Sequence, residues 1–296
     1  MEEVLNIMIT GILRGGMYAL MAVGLSLVFG VMNIPNFAHG EFYMLGAYFA
    51  FFAFSVVQNP VAAIVIAAVL AFAAGGIIEK IFFYPLRKRN RGQWVMNTFL
   101  VTLGVSIIIK NSAQLIWGTT YKGITQYWEG GVNFFSIINI SYDRLAGFCI
   151  AVAVITLFWI FLSQTKLGRA IRAVSQDEVG AGMVGINLDG IHTFTFALSC
   201  MLAAMAGGIL LSVTPAYPLM GMQPLYKSWF VLILVGMGNV GGSIFGGLIV
   251  GILETIGYMK LGAGWQDVFS LMLIIIILLV KPRGLFAKKG VKSVVE

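Results

Sequence analysis

Residues 60–91 read PVAAIVIAAVLAFAAGGIIEKIFFYPLRKRNR. The stretch 60–83 is apolar except for Glu79 and Lys80. As a helix it would rise about 36 Å, enough to cross a hydrocarbon layer about 30 Å thick. Arg87, Lys88, Arg89 and Arg91 follow at once. An apolar run closed by a cluster of cations is the pattern of a membrane crossing with its cytoplasmic flank.

Working outward, similar runs occupy roughly 5–30, 40–57, 94–117, 145–162, 191–213, 220–238, 243–258 and 266–280. Pro35 and Asn59-Pro60 mark breaks around the second run. Residues 236–242, Gly-Met-Gly-Asn-Val-Gly-Gly, are too glycine-rich for an ordinary helix interior. The whole chain is 59% hydrophobic and 10% charged, where a soluble domain carries about 25% charge. The expected fold is an all-α polytopic membrane protein of about eight to ten transmembrane helices, some broken or re-entrant. It forms one membrane domain over 1–296, with no room for a soluble catalytic domain. Met1-Glu2-Glu3 lead into the first run without basic residues, which favours a retained span over a signal peptide.

Thirteen of the 19 basic residues fall in three clusters. These are Lys80, Arg87, Lys88, Arg89 and Arg91; Lys166, Arg169 and Arg172; and Lys281, Arg283, Lys288, Lys289 and Lys292. Spacing between spans, rather than a basic groove, argues against nucleic acid as the partner of the +7 net charge. If all three clusters face the cytoplasm, three crossings precede the first, and the N-terminus lies outside with the C-terminus cytoplasmic. An even number of crossings must then separate the second and third clusters; four fits, and a single crossing over 220–258 would need part of it to be re-entrant. Residues 118–144 become an outer loop, with Trp117, Tyr121, Tyr127 and Trp128 at the membrane boundary.

Chemistry has few places to sit. There are two histidines, His39 and His192, and no metalloprotease, nucleophile-elbow or Walker pattern. Cys149 and Cys200 lie in apolar runs without metal-ligand neighbours. No cofactor is expected. The most unusual segment is 33–48, NIPNFAHGEFYMLGAY. It packs Asn33, Asn36, His39 and Glu41 against apolar sequence, where polar groups are costly unless they pair or meet water. These four are candidates to line a translocation path. An alternative makes Asn36 a helix cap with Glu41 in the first turn.

Arg14 and Lys110 also lie in apolar runs, and each either faces the bundle or snorkels toward the outer boundary. Glu254 suits either a hydrogen bond within the bundle or a substrate contact. Residues 67–83 echo 244–256, with Glu79 and Glu254 in matching places, as in transporters built from two repeats. Gly242, Gly246, Gly247 and Gly251, with Gly11 and Gly15, have the spacing of close helix packing, within the chain or against a second membrane subunit. The segment 163–190 mixes charge with a short apolar face and reads as a helix docking a protein partner at the cytoplasmic side.

NFAHGEFYMLGAY (36–48), GRAIRAVSQDEVGAGMVGIN (168–187) and GMGNVGGSIFGGLIVGILE (236–254) together resemble the permease subunits of ABC importers for branched-chain amino acids. The resemblance covers nearly the whole chain. It implies a non-catalytic transport subunit in a prokaryotic inner membrane, paired with a second permease. Two cytoplasmic ATP-binding subunits and an extracytoplasmic substrate-binding protein would complete the complex. It also implies that Arg169, Arg172, Asp177 and Glu178 couple the chain to the ATPases. The family pattern is broken at Val179 and Gly180, so a continuous helix is not expected beyond Glu178. Relatives are similar yet carry urea, short amides or other amino acids. The expected mechanism is alternating access for a neutral zwitterion. The competing readings are an ion-coupled carrier or channel using Glu41, His39 or Glu254, and a membrane scaffold without transport.

Overall fold

A computed structural model describes residues 2–89, 94–134, 138–282 and 284–286. Arg91, Arg283, Lys288, Lys289 and Lys292 of the basic clusters lie outside the described residues, as does the side chain of Arg89. The chain is almost wholly helical. The first half contains α1 (Glu2–Met32), α2 (His39–Val57) and α3 (Pro60–Ile78). A π-helical turn, Glu79–Phe83, leads to α4 (Tyr84–Arg89), then α5 (Trp94–Trp117). A hairpin of β1 (Gly131–Phe134) and β2 (Ile138–Ser141) precedes α6 (Tyr142–Gln164). Next come α7 (Lys166–Gln176) and α8 (Glu178–Met183), then α9 (Leu188–Leu210), α10 (Met222–Val235), α11 (Val240–Leu261) and α12 (Gln266–Val280).

Among the described residues, eight helices are long and apolar enough to cross a membrane. The expected seventh crossing, 220–238, is instead the 14-residue α10, about 21 Å long. Its neighbours explain the shortening. Residues 211–221 are turns and irregular chain holding Pro215 and Pro218, and the far end stops at Gly236 with φ 104°. The hairpin in the 118–141 loop had no signal in the sequence. Its base is tied down by Asp143, whose Oδ1 accepts the amides of Tyr127 and Trp128 at 3.1 and 2.9 Å. The Tyr127 hydroxyl donates to Gly208 O, and burial pushes that phenol's pKa up.

Glycines set the helix pairing, because only a bare Cα lets two backbones meet. α1 runs antiparallel to α11: a Cβ on Gly11 would lie 2.8 Å from Ile252 Cα, and one on Gly30 would lie 3.0 Å from Gly238 O. α3 runs antiparallel to α9, with Gly75 against Ala197 and Cys200, and Gly208 beside Ile64. α1 and α9 cross where Gly24 meets Ser199 and Leu202. The segments α1–α2–α3 and α9–α10–α11 therefore follow the same order in opposite directions, each outer helix paired with the third helix of the other half.

The described basic residues of the three clusters share one end of the bundle. Gly30 touches Gly238 there, and Gly241 packs on Trp159 near the end of α6. Leu285 and Phe286 donate their amides to Leu234 and Val235 O, bringing the C-terminal segment to the same end. Ile171 and Val174 of α7 join the core cluster that holds Val28, Val31 and Met32. Arg87 bonds Asp189 at the start of α9. This end is called the basic end below, and the opposite one, with the 118–141 segment, the loop end.

Candidate functional site

The centre of the bundle is where two helix starts meet. α1 stops at Asn33, a left-handed residue with φ 53° whose amide donates to Phe29 O. The chain then turns back inward over 33–38. Asn36 Oδ1 accepts the Ala38 amide at 3.0 Å. Thr102 of α5 accepts the Phe37 amide at 3.3 Å. α2 then begins at His39, beside Gly24 in the body of α1. From the loop end, 211–221 enters the bundle in a similar way. Ala216 exchanges two backbone hydrogen bonds with Lys122 before the chain reaches Gly221 and α10. A Cβ on Gly40 would come within 2.5 Å of Gly221 O, and a Cβ on Gly221 would overlap Gly40 O. Two helix N-termini thus abut inside the bundle, each with the positive end of its dipole directed to the junction. Broken helices that turn their N-terminal ends inward are how several transporter folds build substrate sites.

Three of the four expected path residues gather here. Asn36 and His39 are fully buried and Glu41 is 3% exposed. His39 is a cross-brace: Nε2 lies 3.0 Å from Met21 O and Nδ1 3.3 Å from Ser199 Oγ. A carbonyl can only accept, so Nε2 carries the proton. His39 thereby ties α2 to both α1 and α9. Glu41 accepts from Ser106 Oγ through Oε1 at 2.9 Å, while its Oε2 has no partner among the described residues. Asn33 is the exception. It is exposed as the C-terminal cap of α1 and takes no place in the centre. Asn36 stands two residues before the N-cap position, which Ala38 occupies, and satisfies the Ala38 amide.

Sequence reading missed the residues that α10 brings to this centre. Trp229 stacks on Phe37 with ring centroids 5.5 Å apart, and Phe99 meets the same ring edge-on at 5.5 Å. Lys227, also on α10, is 5% exposed and bonds both Glu254 and Asp267. Glu254 further accepts from Tyr18 Oη at 2.7 Å and from Gln266 at 3.3 Å. Arg14 reaches Gln266 and lies over the Tyr258 ring. The signal for Lys227 was present in part: a lone lysine in an apolar run calls for an acidic partner, but the sequence does not say which acid supplies it.

Glu79 heads a second network at the basic end. Thr193 donates to it, Arg87 pairs with it at 3.0 Å, and Arg87 also pairs with Asp189 at 3.0 Å. Each of the echoing glutamates is thus fully buried against a cation. Gly242 and Gly246 pack on Val235, Gly247 on Ala19, and Gly251 on Gly15. All four therefore seat α11 on α10 and α1 within the chain.

The 163–190 segment caps the basic end. Thr165 accepts the Gly168 amide at 2.9 Å and starts α7. α7 buries Gly168, Ile171 and Val174 against the bundle and exposes Arg169 and Arg172. The helix stops at Asp177, earlier than Glu178. Asp177 is extended and caps α8 by accepting from Gly180 N at 3.0 Å. Glu178 therefore starts the second helix, 3.7 Å from the buried ring of His192. Val179, Met183 and Val184 stand 73%, 83% and 78% exposed beside these charges, outside every candidate span. Among the described residues no cluster of His, Cys, Asp and Glu could hold a metal.

Residues 7–278 match the family model described as "Branched-chain amino acid transport system / permease component". The chain is 31% identical to the high-affinity branched-chain amino acid transport system permease protein BraD of Pseudomonas aeruginosa, over 97% of both chains. It is 30% identical to LivH of the corresponding system of Escherichia coli, over 97% of this chain and 96% of the relative. It is also 25% identical to LivM of Escherichia coli, over 90% of this chain and 67% of the relative.

Proposed function

This chain belongs to the family of branched-chain amino acid transport system permease components, and from that membership we propose that it carries branched-chain or related neutral amino acids inward by alternating access. It is a multi-pass, non-catalytic transport subunit. In this reading the basic end faces the cytoplasm of a prokaryotic inner membrane, which puts the N-terminus outside. A second permease pairs with it, as the similarity to both LivH and LivM suggests. Two ATP-binding subunits grip the basic end, and a substrate-binding protein delivers cargo at the loop end.

The observation that carries the reading is the face of α7 and α8. Large apolar side chains outside the membrane mark a protein contact rather than a solvated turn. Val179, Met183 and Val184 supply them, with Arg169, Arg172 and Asp177 around the rim. The opposite face of α7 is keyed into α1 and α6 through Ile171 and Val174. A push on α7 thus reaches the transmembrane helices directly, and α9 through Asp189–Arg87–Glu79. Residues 163–190 act as the coupling segment.

In the reconstituted complex, Arg169→Glu with Arg172→Glu leaves the permease folded and lowers substrate-stimulated ATP hydrolysis by about tenfold or more, because reversing two rim charges sets like charges against each other across the contact. Unchanged stimulated hydrolysis overturns the docking role. The ion-coupled alternative retains one foothold, the unpartnered Oε2 of Glu41. His39 is held by Met21 O through Nε2, and Glu254 by Lys227, Tyr18 and Gln266. Proton-driven uptake by this chain without ATPases would favour that alternative.

A further inference from the structure

We infer that Glu41 and Lys110 form a subsite for the two charged ends of a free amino acid, closed toward the basic end by the Phe37–Trp229–Phe99 aromatic cluster. The inference rests on the transport reading and names the residues that would meet cargo inside the bundle.

Glu41 occupies the first turn of α2 at the central junction. One carboxylate oxygen is held by Ser106 at 2.9 Å; the other is buried and, among the described residues, has no partner. A buried carboxylate oxygen left unpaired is costly and calls for a donor. Lys110 stands one helical turn beyond Ser106 on the same face of α5, half-buried within a span. Among the described residues it forms no ion pair. An unpaired carboxylate oxygen on the residue that Ser106 holds, and an ammonium one helical turn further along α5, offer each end of a zwitterion a partner. The ligand ammonium fits Glu41 Oε2, and its carboxylate fits the Lys110 ammonium. A neutral cargo then leaves the net charge of the site unchanged, while each end finds a partner.

The order of residues along the helices places the aromatic cluster on the basic-end side. Phe37 precedes Glu41 in the inward turn, Phe99 lies two turns before Ser106 on α5, and Trp229 follows Leu225 as α10 runs to the basic end. Phe37 is held between the other two rings at 5.5 Å each. An apolar side chain carried by the same ligand would rest on these rings. Because Phe37 belongs to a six-residue turn rather than a helix, it is the member of the cluster able to swing without unwinding a span. The Trp229 indole nitrogen also lacks a partner.

The test uses the full complex in proteoliposomes, with leucine as the probe. Leucine uptake by the wild type that requires ATP and the binding protein supports the transport reading; its absence sinks that reading by itself. Glu41→Gln and Lys110→Met each lower leucine uptake by about tenfold or more, as expected when a site built for polar ends loses one partner. Glu41→Asp and Lys110→Arg recover most of it. Hydrolysis stimulated by the loaded binding protein stays within about twofold, because docking and coupling lie elsewhere. Lys110 is half-exposed, so Lys110→Met decides the matter if the Glu41 variant fails to assemble. Wild-type uptake in an assembled Lys110→Met complex overturns the subsite. So does a parallel loss of uptake and stimulated hydrolysis, which would make the residue structural.

Discussion

The two broken crossings that meet at Gly40 and Gly221 reach the same junction by different means. The turn before α2 is short, and side chains hold it: Asn36 on Ala38 N, Thr102 on Phe37 N, His39 on Met21 O and Ser199. The turn before α10 is longer, and its backbone holds it, through the paired bonds between Ala216 and Lys122. Beyond the junction α2 runs 19 residues and α10 only 14. A break pinned by side chains is fixed to the rigid helices around it. A break pinned by backbone to the 118–141 segment is fixed to the loop end, where the proposed binding protein would press. The first turn is thus tied to the helices around it and the second to the loop end.

The shared junction should be the most fragile point. A Cβ at Gly221 would overlap the backbone of Gly40, which cannot yield as a flexible side chain can. Gly221→Val and Gly40→Val therefore prevent recovery of a folded, assembled permease, read as loss of the monodisperse complex after detergent extraction. Recovery of either at wild-type yield would show that the two helix starts do not abut. A smaller effect separates the two turns. Asn36→Ala removes a buried cap-like bond and should cost about 1 kcal/mol, read as a lower thermal midpoint. Lys122→Ala leaves its backbone bridge intact and should stay within about 0.5 kcal/mol. Equal losses in the two variants would erase the distinction.

The same contrast explains what the sequence disclosed. The first turn was legible because its supports are side chains: NIPNFAHGE places polar residues where apolar ones belong. Asn33 misled because its role is backbone shape, a left-handed cap, and nothing in the residue type separates that from a path-lining amide. The second turn was hidden because its supports are main-chain bonds to a residue far away in sequence, so 220–238 read as one apolar span. The spans and basic clusters were legible from hydropathy and charge alone, and the described cluster residues do share one end. The echo of Glu79 and Glu254 pointed to two halves, but not to their opposite direction or to the cations that hold them. Arg87 follows Glu79 by two turns of chain, whereas Lys227 reaches Glu254 from another helix. The π-helical turn at 79–83 and the β1–β2 hairpin depend on tertiary packing and left no periodic trace.

Everything assigned to the basic end requires that it face the cytoplasm, and Val179 is the place to ask. Cys149 is exposed and Cys200 buried, so Val179→Cys in a Cys149→Ser background leaves one reactive thiol on α8. A membrane-impermeant maleimide applied to intact spheroplasts should leave that thiol unlabelled, and should label it in inside-out vesicles when the ATPases are stripped away. Labelling from the outside of intact spheroplasts would contradict the orientation and, with it, the coupling of this chain to ATP.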